Sequence, residues 1–406
     1  MLPISALRQI VKLQRIELES FEYGVEREKL KDIAPETSYA VIISGIRRCG
    51  KSTILRQFIS KAGRFYYLNF EDTRLSDFSA GDFENLNKIF IEEYGPGGTY
   101  LFDEIQNVAK WELFIRSGLD RGALFVITGS NASLLSRELG TRLTGRHRDV
   151  ELFPFSFSES LTARKEAASA ESLRTYLVNG GFPQYLLRGR QETLRELLSD
   201  IIQRDIVSRY GLRNSKTLND LALYLMTNVG KEFSFNKLRR MFNAGSVNTI
   251  ISFISHLEDS YLVFSIKRFD YSVKKQLINP RKVYAIDNGL VSANTLSFSS
   301  DYGRMLENAV FIAIRRQHKD VFYFKGNGEC DFIIREKGKI VSAIQVTYEL
   351  GGENMAREVG GLSEAMKKFG LDHGTIVTMD QEDLIDIKGK KIHVVPAWKW
   401  LQANKY

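Results

Sequence analysis

The chain has 406 residues, more than one ordinary hydrophobic core holds, so its length predicts two to four domains. Its 43% hydrophobic and 26% charged residues are typical of a soluble globular protein. No apolar run approaches the ~20 residues that cross a bilayer, and the N-terminus lacks the apolar core of a signal peptide. The two cysteines, Cys49 and Cys330, are too few for a disulfide framework or a zinc site. These exclusions favour a cytoplasmic protein without membrane contact.

The N-terminal segment, residues 1–36, predicts a helical arm that ends near Pro35. Its apolar residues Ile10, Leu13 and Ile16 recur among polar ones, which is the pattern of an amphipathic helix. Residues 37–155 then alternate between short apolar strands and helices. This alternation predicts an α/β core with a parallel sheet covered on both faces.

The first strand of this core leads into GIRRCGKST, a Gly, four residues and then Gly-Lys-Ser, which is the pattern of a phosphate loop. Glycines allow backbone N–H groups to turn toward a polyphosphate, and the helix that follows offers its partial positive charge. We therefore expect nucleotide binding by the whole loop: Gly45, Ile46, Arg47, Arg48, Cys49, Gly50, Lys51, Ser52 and Thr53.

Within this loop the side chains predict ATP and Mg²⁺ as cofactors. Lys51 is expected to reach the β- and γ-phosphates, and the Ser52 hydroxyl to bind Mg²⁺. Cys49 has two interpretations: its oxidation blocks nucleotide binding, or it is simply a small residue that the loop tolerates.

The strand TYLFDE ends in Asp103 and Glu104. A carboxylate at the end of a buried strand beside a phosphate loop is suited to hold Mg²⁺ through water, which is the role expected of Asp103. Glu104 is then expected to polarise the attacking water as a general base. An acidic pair alone is a weak signal, but at the tip of an apolar strand downstream of a phosphate loop it favours ATP hydrolysis over binding alone.

The strand ALFVIT is followed by Ser130 and Asn131. Either side chain could contact the γ-phosphate or the attacking water, or could cap the next helix, and the two roles are compatible. Four arginines follow between residues 137 and 148. In an oligomeric ATPase a neighbour's arginine can raise the rate about 10³–10⁵-fold, and Arg142 and Arg146 are our candidates. The alternative is a basic surface loop.

The runs VIISGIRRCGKST, LFDEIQ, ITGSNASLL and ELFPFSFSE together resemble a large prokaryotic family of AAA-like ATPases. In that family an ATPase core precedes a C-terminal domain of unknown function, of the DUF4143 type. The resemblance extends over nearly the whole chain and is most specific between residues 41 and 159. It implies an ATP-binding core, a helical lid, a winged-helix region and a nuclease-like C-terminal fold, but no cellular role.

Residues 156–214 are the expected lid, and residues 215–270 read as three helices and a strand, the order of a winged helix-turn-helix. Within the lid, residues 193–210 predict one long amphipathic helix. From Gly211 to Lys282 there are twelve basic and five acidic residues, which is either a nucleic-acid footprint or a solvated face. The third helix has no Lys or Arg, so we expect weak, sequence-independent nucleic-acid binding at most.

Residues 271–406 resemble the restriction-endonuclease-like fold, which uses an acidic residue on a helix, an Asp, and then Glu-x-Lys on a strand. Glu307 and Asp331 match the first two positions, but Gln345 and Thr347 stand where Glu and Lys belong. With one carboxylate and the lysine missing, we expect a retained fold without competent nuclease chemistry.

The sequence therefore predicts a Mg²⁺-dependent AAA-like ATPase, for which a homo-oligomer is possible, with a winged helix and a degenerate nuclease-like domain. A first alternative is a nucleotide-gated switch that engages a protein partner and in which turnover is incidental. A second is an ATP-regulated, metal-dependent nuclease.

Overall fold

The computed structural model describes residues 2–20, 23–130, 145–295 and 301–403, apart from the side chain of Arg188. The chain divides into two compact units, Met1–Phe153 and Pro154–Tyr406. No helix in the described part of the chain is both long and apolar enough to cross a membrane.

The first unit is built on a five-stranded sheet in which every neighbouring pair is parallel. The strands are β1 (Ala40–Ser44), β2 (Phe65–Asn69), β3 (Thr99–Asp103), β4 (Phe125–Gly129) and β5 (His147–Glu151), in the order β2-β3-β4-β1-β5. β1, β3 and β4 are buried along their whole length, which is why they read as continuous apolar runs. Because the strands are parallel, their carboxyl ends meet at one edge, where loops form ligand sites.

Four described helices belong to this unit: α1 (Ile4–Ser20), α2 (Lys51–Ala62), α3 (Phe83–Tyr94) and α4 (Trp111–Asp120). The N-terminal segment is not a free arm. Leu7, Ile10 and Val11 of α1 are buried in the same core cluster as residues of β1 to β4. Gln14 of α1 also bonds the backbone of Asn69 in both directions, so α1 is part of the first unit.

The second unit contains twelve described helices: α5 (Phe157–Arg164), α6 (Ala170–Asn179), α7 (Pro183–Arg188), α8 (Glu192–Asp200), α9 (Ser215–Thr227), α10 (Phe235–Met241), α11 (Val247–Asp259), α12 (Val273–Ile278), α13 (Asn288–Asn294), α14 (Tyr302–Arg315), α15 (Met355–Phe369) and α16 (Ala397–Ala403). α8 continues into a π-helical segment, Ile201–Ser208. The helix predicted over 193–210 is therefore continuous, but most of its second half is π-helical. Buried residues recur there every four positions, as at 198, 202 and 206, and a wider turn keeps them on one face.

A nine-stranded mixed sheet forms the core of this unit. Its strands are β6 (Glu232–Phe233), β7 (Val263–Arg268), β8 (Arg281–Ala285), β9 (Val321–Lys325), β10 (Glu329–Glu336), β11 (Lys339–Val346), β12 (His373–Thr378), β13 (Asp383–Ile387) and β14 (Lys390–Pro396). The order is β13-β14-β12-β11-β10-β9-β7-β8-β6. One sheet thus contains strands from both the segment expected to be a winged helix and the segment expected to be nuclease-like. The domain boundaries drawn from the sequence remain predictions.

Candidate functional site

The loop between β1 and α2 lies at the carboxyl edge of the first sheet. Gly50 precedes α2 with a φ of 102°, a conformation that glycine adopts without strain. Gly45 lies so close to the backbone of Leu152 that a Cβ would be 2.1 Å from its carbonyl oxygen. The two glycines of the motif are therefore required by this backbone, one by its dihedral angle and the other by close approach.

Lys51, the first residue of α2, is buried and its ammonium group points back over the loop. Its Nζ donates to the carbonyl oxygens of Gly45 at 3.2 Å and Ile46 at 3.4 Å, and lies 3.3 Å from Oε1 of Glu104. Burial lowers the pKa of Lys51, but Glu104 and other nearby anionic groups outweigh it, so the pKa is raised. The ammonium is therefore held charged and in reach of both the loop and the end of β3.

Asp103 is fully buried at the end of β3, beside the start of α2. The hydroxyl of Ser52 donates to its carboxylate, and so does the hydroxyl of Thr128 on β4. Burial, followed by the charge of Glu104, raises the pKa of Asp103 above its ordinary value. Carboxylate and hydroxyl oxygens are the ligands that Mg²⁺ prefers, so Ser52 and Asp103 together fit this ion.

Glu104 adopts a left-handed backbone conformation, with φ 52° and ψ 45°, directly after β3. Its N–H donates to Thr128 Oγ1 at 2.9 Å, and Gln106 Nε2 donates to its carboxylate. Burial raises the pKa of Glu104, but the charge of Lys51 and the hydrogen bonds from Gln106 and Lys51 together outweigh it, so the net pKa is lowered. Glu104 is therefore an anion with a fixed orientation, as a base for water must be.

Ser130, directly after β4, is buried, and Gln106 Nε2 also lies 3.4 Å from its hydroxyl. Because Gln106 also donates to Glu104, this one side chain connects Ser130 to Glu104. Asn131, predicted with Ser130 to contact nucleotide, lies outside the described residues, and so does Arg142.

The remaining loop residues differ in their surroundings. Arg47 pairs with Glu71 at 3.1 Å, and Arg48 has a positive φ of 62°. Cys49 is buried, and burial raises the pKa of its thiol. A thiol held protonated reacts slowly with oxidants, which favours the structural interpretation of Cys49. Thr53, in the first turn of α2, is half-buried.

Arg146 lies at the other end of the sheet. Its carbonyl accepts from Ala40 N–H at the start of β1, whereas the phosphate loop follows the end of β1. Its guanidinium pairs with Asp120 and donates to the Ser38 carbonyl. Arg146 is therefore remote from the loop of its own subunit.

Three residues near the loop were missed in the sequence: Arg27, Gln106 and Thr128. Thr128 and Gln106 stand in the recognised runs ITGSN and DEIQ, so closeness to those motifs was the available signal. Arg27 gave none. It is almost fully buried, and it donates to the carbonyls of Cys49 and Phe153 at 2.7 Å each.

In the second unit, Glu307 and Asp331 lie on either side of one ammonium group. Lys282 of β8 is buried, and its Nζ is 2.9 Å from Asp331 Oδ1, 2.6 Å from Glu329 Oε1 and 3.5 Å from Glu307 Oε1. Burial lowers the pKa of Lys282, but Asp331 and the other anionic groups raise it well above its ordinary value. The sequence analysis considered a lysine only at position 347, and the structure places Lys282, distant in sequence, beside these carboxylates.

Gln345 and Thr347, at the remaining two positions of the nuclease-like motif, make hydrogen bonds of their own. Gln345 Oε1 accepts from the Asp331 N–H at 3.1 Å, and its Nε2 donates to Glu358 Oε2 at 2.6 Å. Thr347 Oγ1 donates to the Glu349 carbonyl, just beyond β11. Among the described residues, no group of three or more His, Cys, Asp or Glu side chains is arranged to hold a metal ion.

Two family models match segments of the chain. A family model described as an AAA domain matches residues 37–161. The chain is also 35% identical over 391 residues to "Uncharacterized protein MJ1544" of Methanocaldococcus jannaschii, covering 88% of this chain and 87% of that protein. An uncharacterized protein of Haemophilus influenzae is 31% identical over 340 residues, covering 78% of this chain and 84% of that protein.

The chain belongs to this family of AAA-domain proteins. At that level it is a nucleotide-binding ATPase, and the resemblance drawn from the loop and strand motifs is confirmed. A domain of unknown function does follow the core of this AAA-domain protein. Its matching model, over residues 170–301, is however DUF8612 and not DUF4143.

Two solved structures of the replication initiator DnaA are also similar to this AAA-domain protein. One, bound to AMPPCP and single-stranded DNA, is 18% identical with a TM-score of 0.30, covering 59% of this chain and 91% of that one. The other, AMPPCP-bound DnaA from Aquifex aeolicus, is 15% identical with a TM-score of 0.26, covering 62% and 88%. Similarity at this level carries no inference about function.

Proposed function

We propose that the chain is a cytoplasmic ATPase that hydrolyses ATP with Mg²⁺ at the loop between β1 and α2. The observation that supports this most directly is the convergence of two pairs of side chains at one edge of the sheet. Lys51 lies 3.3 Å from Glu104, and Ser52 donates to Asp103. Phosphate binding, metal binding and water activation need these four groups together.

Each side chain has a role in this proposal. Lys51 binds the phosphates, Ser52 and Asp103 hold Mg²⁺, and Ser130 contacts the γ-phosphate or the attacking water. The bound Mg²⁺ would neutralise charge on the phosphates. Glu104 accepts a proton from water, and its lowered pKa keeps it ionised near neutral pH so that it is ready to do so.

Measurements of nucleotide binding and of turnover distinguish the roles of these residues. ATP with Mg²⁺ should raise the free energy of unfolding by about 2.7 kcal/mol at a hundredfold excess over Kd, because only the native state binds it. Lys51→Ala should abolish this stabilisation. Glu104→Gln should retain it and stop phosphate release. If Glu104→Gln turns over like the wild type, Glu104 is not the base.

A nucleotide-gated switch is the second candidate function. It is favoured by the contact between Glu104 and Lys51, because Glu104 must turn from this ammonium toward water before it can act as a base. A switch of this kind should turn over slowly alone, and its protein partner should alter nucleotide affinity and not turnover. Steady-state phosphate release with and without cell extract distinguishes the two.

An arginine from a second copy of the chain would complete the site if the protein acts as a homo-oligomer. Arg142 and Arg146 remain our candidates, and the distance of Arg146 from its own loop is compatible with action in a neighbouring subunit. The Ala variant of such a residue should bind ATP normally, hydrolyse it poorly, and regain activity when mixed with Glu104→Gln subunits. Variants that all retain full turnover would exclude an arginine of this kind.

For the second unit we propose a nuclease-like fold without nuclease activity. Lys282 already pairs with Asp331 and lies 3.5 Å from Glu307, and Gln345 is bonded to Glu358. We expect no cleavage of plasmid or single-stranded DNA with Mg²⁺ or Mn²⁺. Metal-dependent nicking that disappears in Asp331→Ala would instead support the ATP-regulated nuclease.

A further inference from the structure

The last two residues of the first unit are connected to both ends of the phosphate loop, Leu152 directly and Phe153 through Arg27. At the front of the loop, Leu152 N–H donates to the Ser44 carbonyl at 2.7 Å, and the Leu152 carbonyl lies against Gly45. At the back of the loop, Arg27 connects Cys49 to Phe153. Pro154, the next residue, begins the second unit.

Arg27 makes this second connection with one guanidinium group. Nη1 donates to the Cys49 carbonyl and Nη2 to the Phe153 carbonyl, each at 2.7 Å. A Cβ on Gly50 would be 2.9 Å from Nη1, so the guanidinium lies directly behind the turn into α2. Because the guanidinium is planar and rigid, two carbonyls bonded to it cannot move independently.

The backbone of Arg27 is fixed as well. Its N–H donates to Gln57 Oε1 at 3.0 Å, and Gln57 Nε2 donates to the carbonyls of Tyr23 at 2.7 Å and Val25 at 2.6 Å. Gln57 is a buried residue of α2, the helix that begins at Lys51. The guanidinium is thus anchored to α2 and bonded on its far side to Phe153.

We propose that Arg27 couples occupancy of the phosphate loop to the end of the first unit at Phe153. This inference rests on the proposed nucleotide site and goes beyond it. When phosphates draw the loop N–H groups inward, the peptide between Cys49 and Gly50 turns, and the Cys49 carbonyl turns with it. The shared guanidinium passes this movement to the Phe153 carbonyl. Pro154 has a locked φ, so the movement is not lost in free rotation there.

Arg27 is therefore a positioning residue, and its test separates binding from coupling. Hydrogen exchange of a peptide spanning residues 150–158 is measured with and without a non-hydrolysable ATP analogue and Mg²⁺. Wild type should bind the analogue and show slower exchange in this peptide. Arg27→Lys retains the charge but replaces the planar, rigid guanidinium with one nitrogen on a flexible stem, so that bonds to the two carbonyls no longer fix them relative to each other. It should bind the analogue within about tenfold of wild type, yet show no slowing at 150–158.

Arg15→Lys is the matched control, because Arg15 also donates to a backbone carbonyl of the first unit, that of Phe65. It should behave like wild type. As a second measurement, Pro154→Gly should change the affinity for the analogue in wild type and leave it unchanged in Arg27→Lys, since a coupled pair is non-additive. This affinity cycle gives an answer even if exchange in the peptide is too fast to follow.

The outcomes are distinct. No analogue binding by wild type would overturn both the ATPase proposal and the coupling. Binding without slower exchange at 150–158, or the same slowing in Arg27→Lys as in wild type, would overturn the coupling alone. A Pro154→Gly effect of equal size in both backgrounds would do the same.

Discussion

At the scale of single residues, the pKa values of two neighbouring carboxyl groups at the end of β3 are shifted in opposite directions. Burial raises the pKa of Asp103, whereas Lys51 lowers that of Glu104 against the same burial. Neighbouring acids whose pKa values are driven apart are a common way to assign different tasks to one residue type. Here the lowered pKa suits Glu104 to stay ionised and accept a proton from water.

Gln106 fixes the orientation of Glu104, because its Nε2 donates to that carboxylate. Gln106→Ala should leave ATP affinity unchanged and lower kcat about tenfold, since a hydrogen bond to a charged group contributes about 1.5 kcal/mol or more. Steady-state turnover together with analogue binding checks this. Gln9→Ala, an exposed change on α1, is the control and should have wild-type kcat. A lowered affinity with normal kcat would mean that Gln106 acts on binding and not on Glu104.

The sequence predicted the loop and the DE pair because each is a local pattern whose chemistry fixes residue types at short spacing. It could not predict Thr128 as the partner of Asp103. That contact depends on β4 lying next to β3, and nothing in an apolar run states which strand will be its neighbour. The role of Arg27 was even harder to predict, because its two acceptors are backbone carbonyls, which have no signature in the sequence.

At the scale of elements, the Gly-Gly pair after α6 is explained by its contact with the start of α13. Asp287 accepts from the Gly181 N–H at 2.6 Å and from the Leu290 N–H at 2.9 Å, which caps α13. A Cβ on Gly180 would lie 2.1 Å from Oδ1 of Asp287. The break in the predicted lid is thus a joint between two parts of the second unit that are distant in sequence.

This joint predicts a pH dependence of stability. Burial raises the pKa of Asp287 from 3.8 to about 6, although its backbone hydrogen bonds and Arg316 oppose the shift. The native state therefore holds the proton more tightly than the unfolded state, so stability is lost as pH rises from about 4 to 6. The shift corresponds to roughly 3 kcal/mol.

Asp287→Asn removes this titration. The wild-type free energy of unfolding should fall relative to that of the variant between pH 4 and 6.5, as followed by chemical denaturation. Parallel curves for the two proteins would show that Asp287 does not titrate in this range.

Lys282 links β8 to β10 and α14 through three carboxylates. Removing one partner of a buried ionic cluster leaves uncompensated charge, so Lys282→Met should destabilise these elements by about 3–5 kcal/mol. Lys325→Met is the matched control. Its more exposed ammonium pairs with Glu232, and this pair should contribute at most about 1 kcal/mol. Hydrogen exchange of the β10 amides measures both effects, and equal effects would argue against a buried cluster.

The strands of the first unit were predictable because buried parallel strands are continuous apolar runs. The second sheet was not, since β7 and β8 pair with each other and β7 also pairs with β9 across a long stretch of chain. The same long-range pairing brings Lys282 to Asp331. A motif search limited to neighbouring positions therefore could not find the lysine that lies beside Asp331 in the structure.

At the scale of the whole molecule, the net charge of +8 is concentrated in one segment, residues 211–282. The structure exposes much of this charge: Lys237, Arg239 and Arg240 are exposed on α10, around the buried Leu238. α11, the helix that follows, has no Lys or Arg, so base-specific contacts have no basic side chains there. Any nucleic-acid affinity should then come from phosphate contacts.

Such binding should depend on salt and not on sequence. For duplex DNA, log K falls with log salt by about 0.9 for each phosphate contacted, because each contact releases counterions. Neutralising Lys237, Arg239 and Arg240 together should lower affinity at low salt and flatten this slope, equally for unrelated sequences. Fluorescence anisotropy with two unrelated duplexes at several salt concentrations measures this slope.

The control variant neutralises Lys388, Lys390 and Lys391 at the β13–β14 turn. It removes the same charge from another surface and should leave the slope unchanged. An equal loss in both variants would indicate attraction to net charge alone, and no binding at low salt would favour a protein partner for α10.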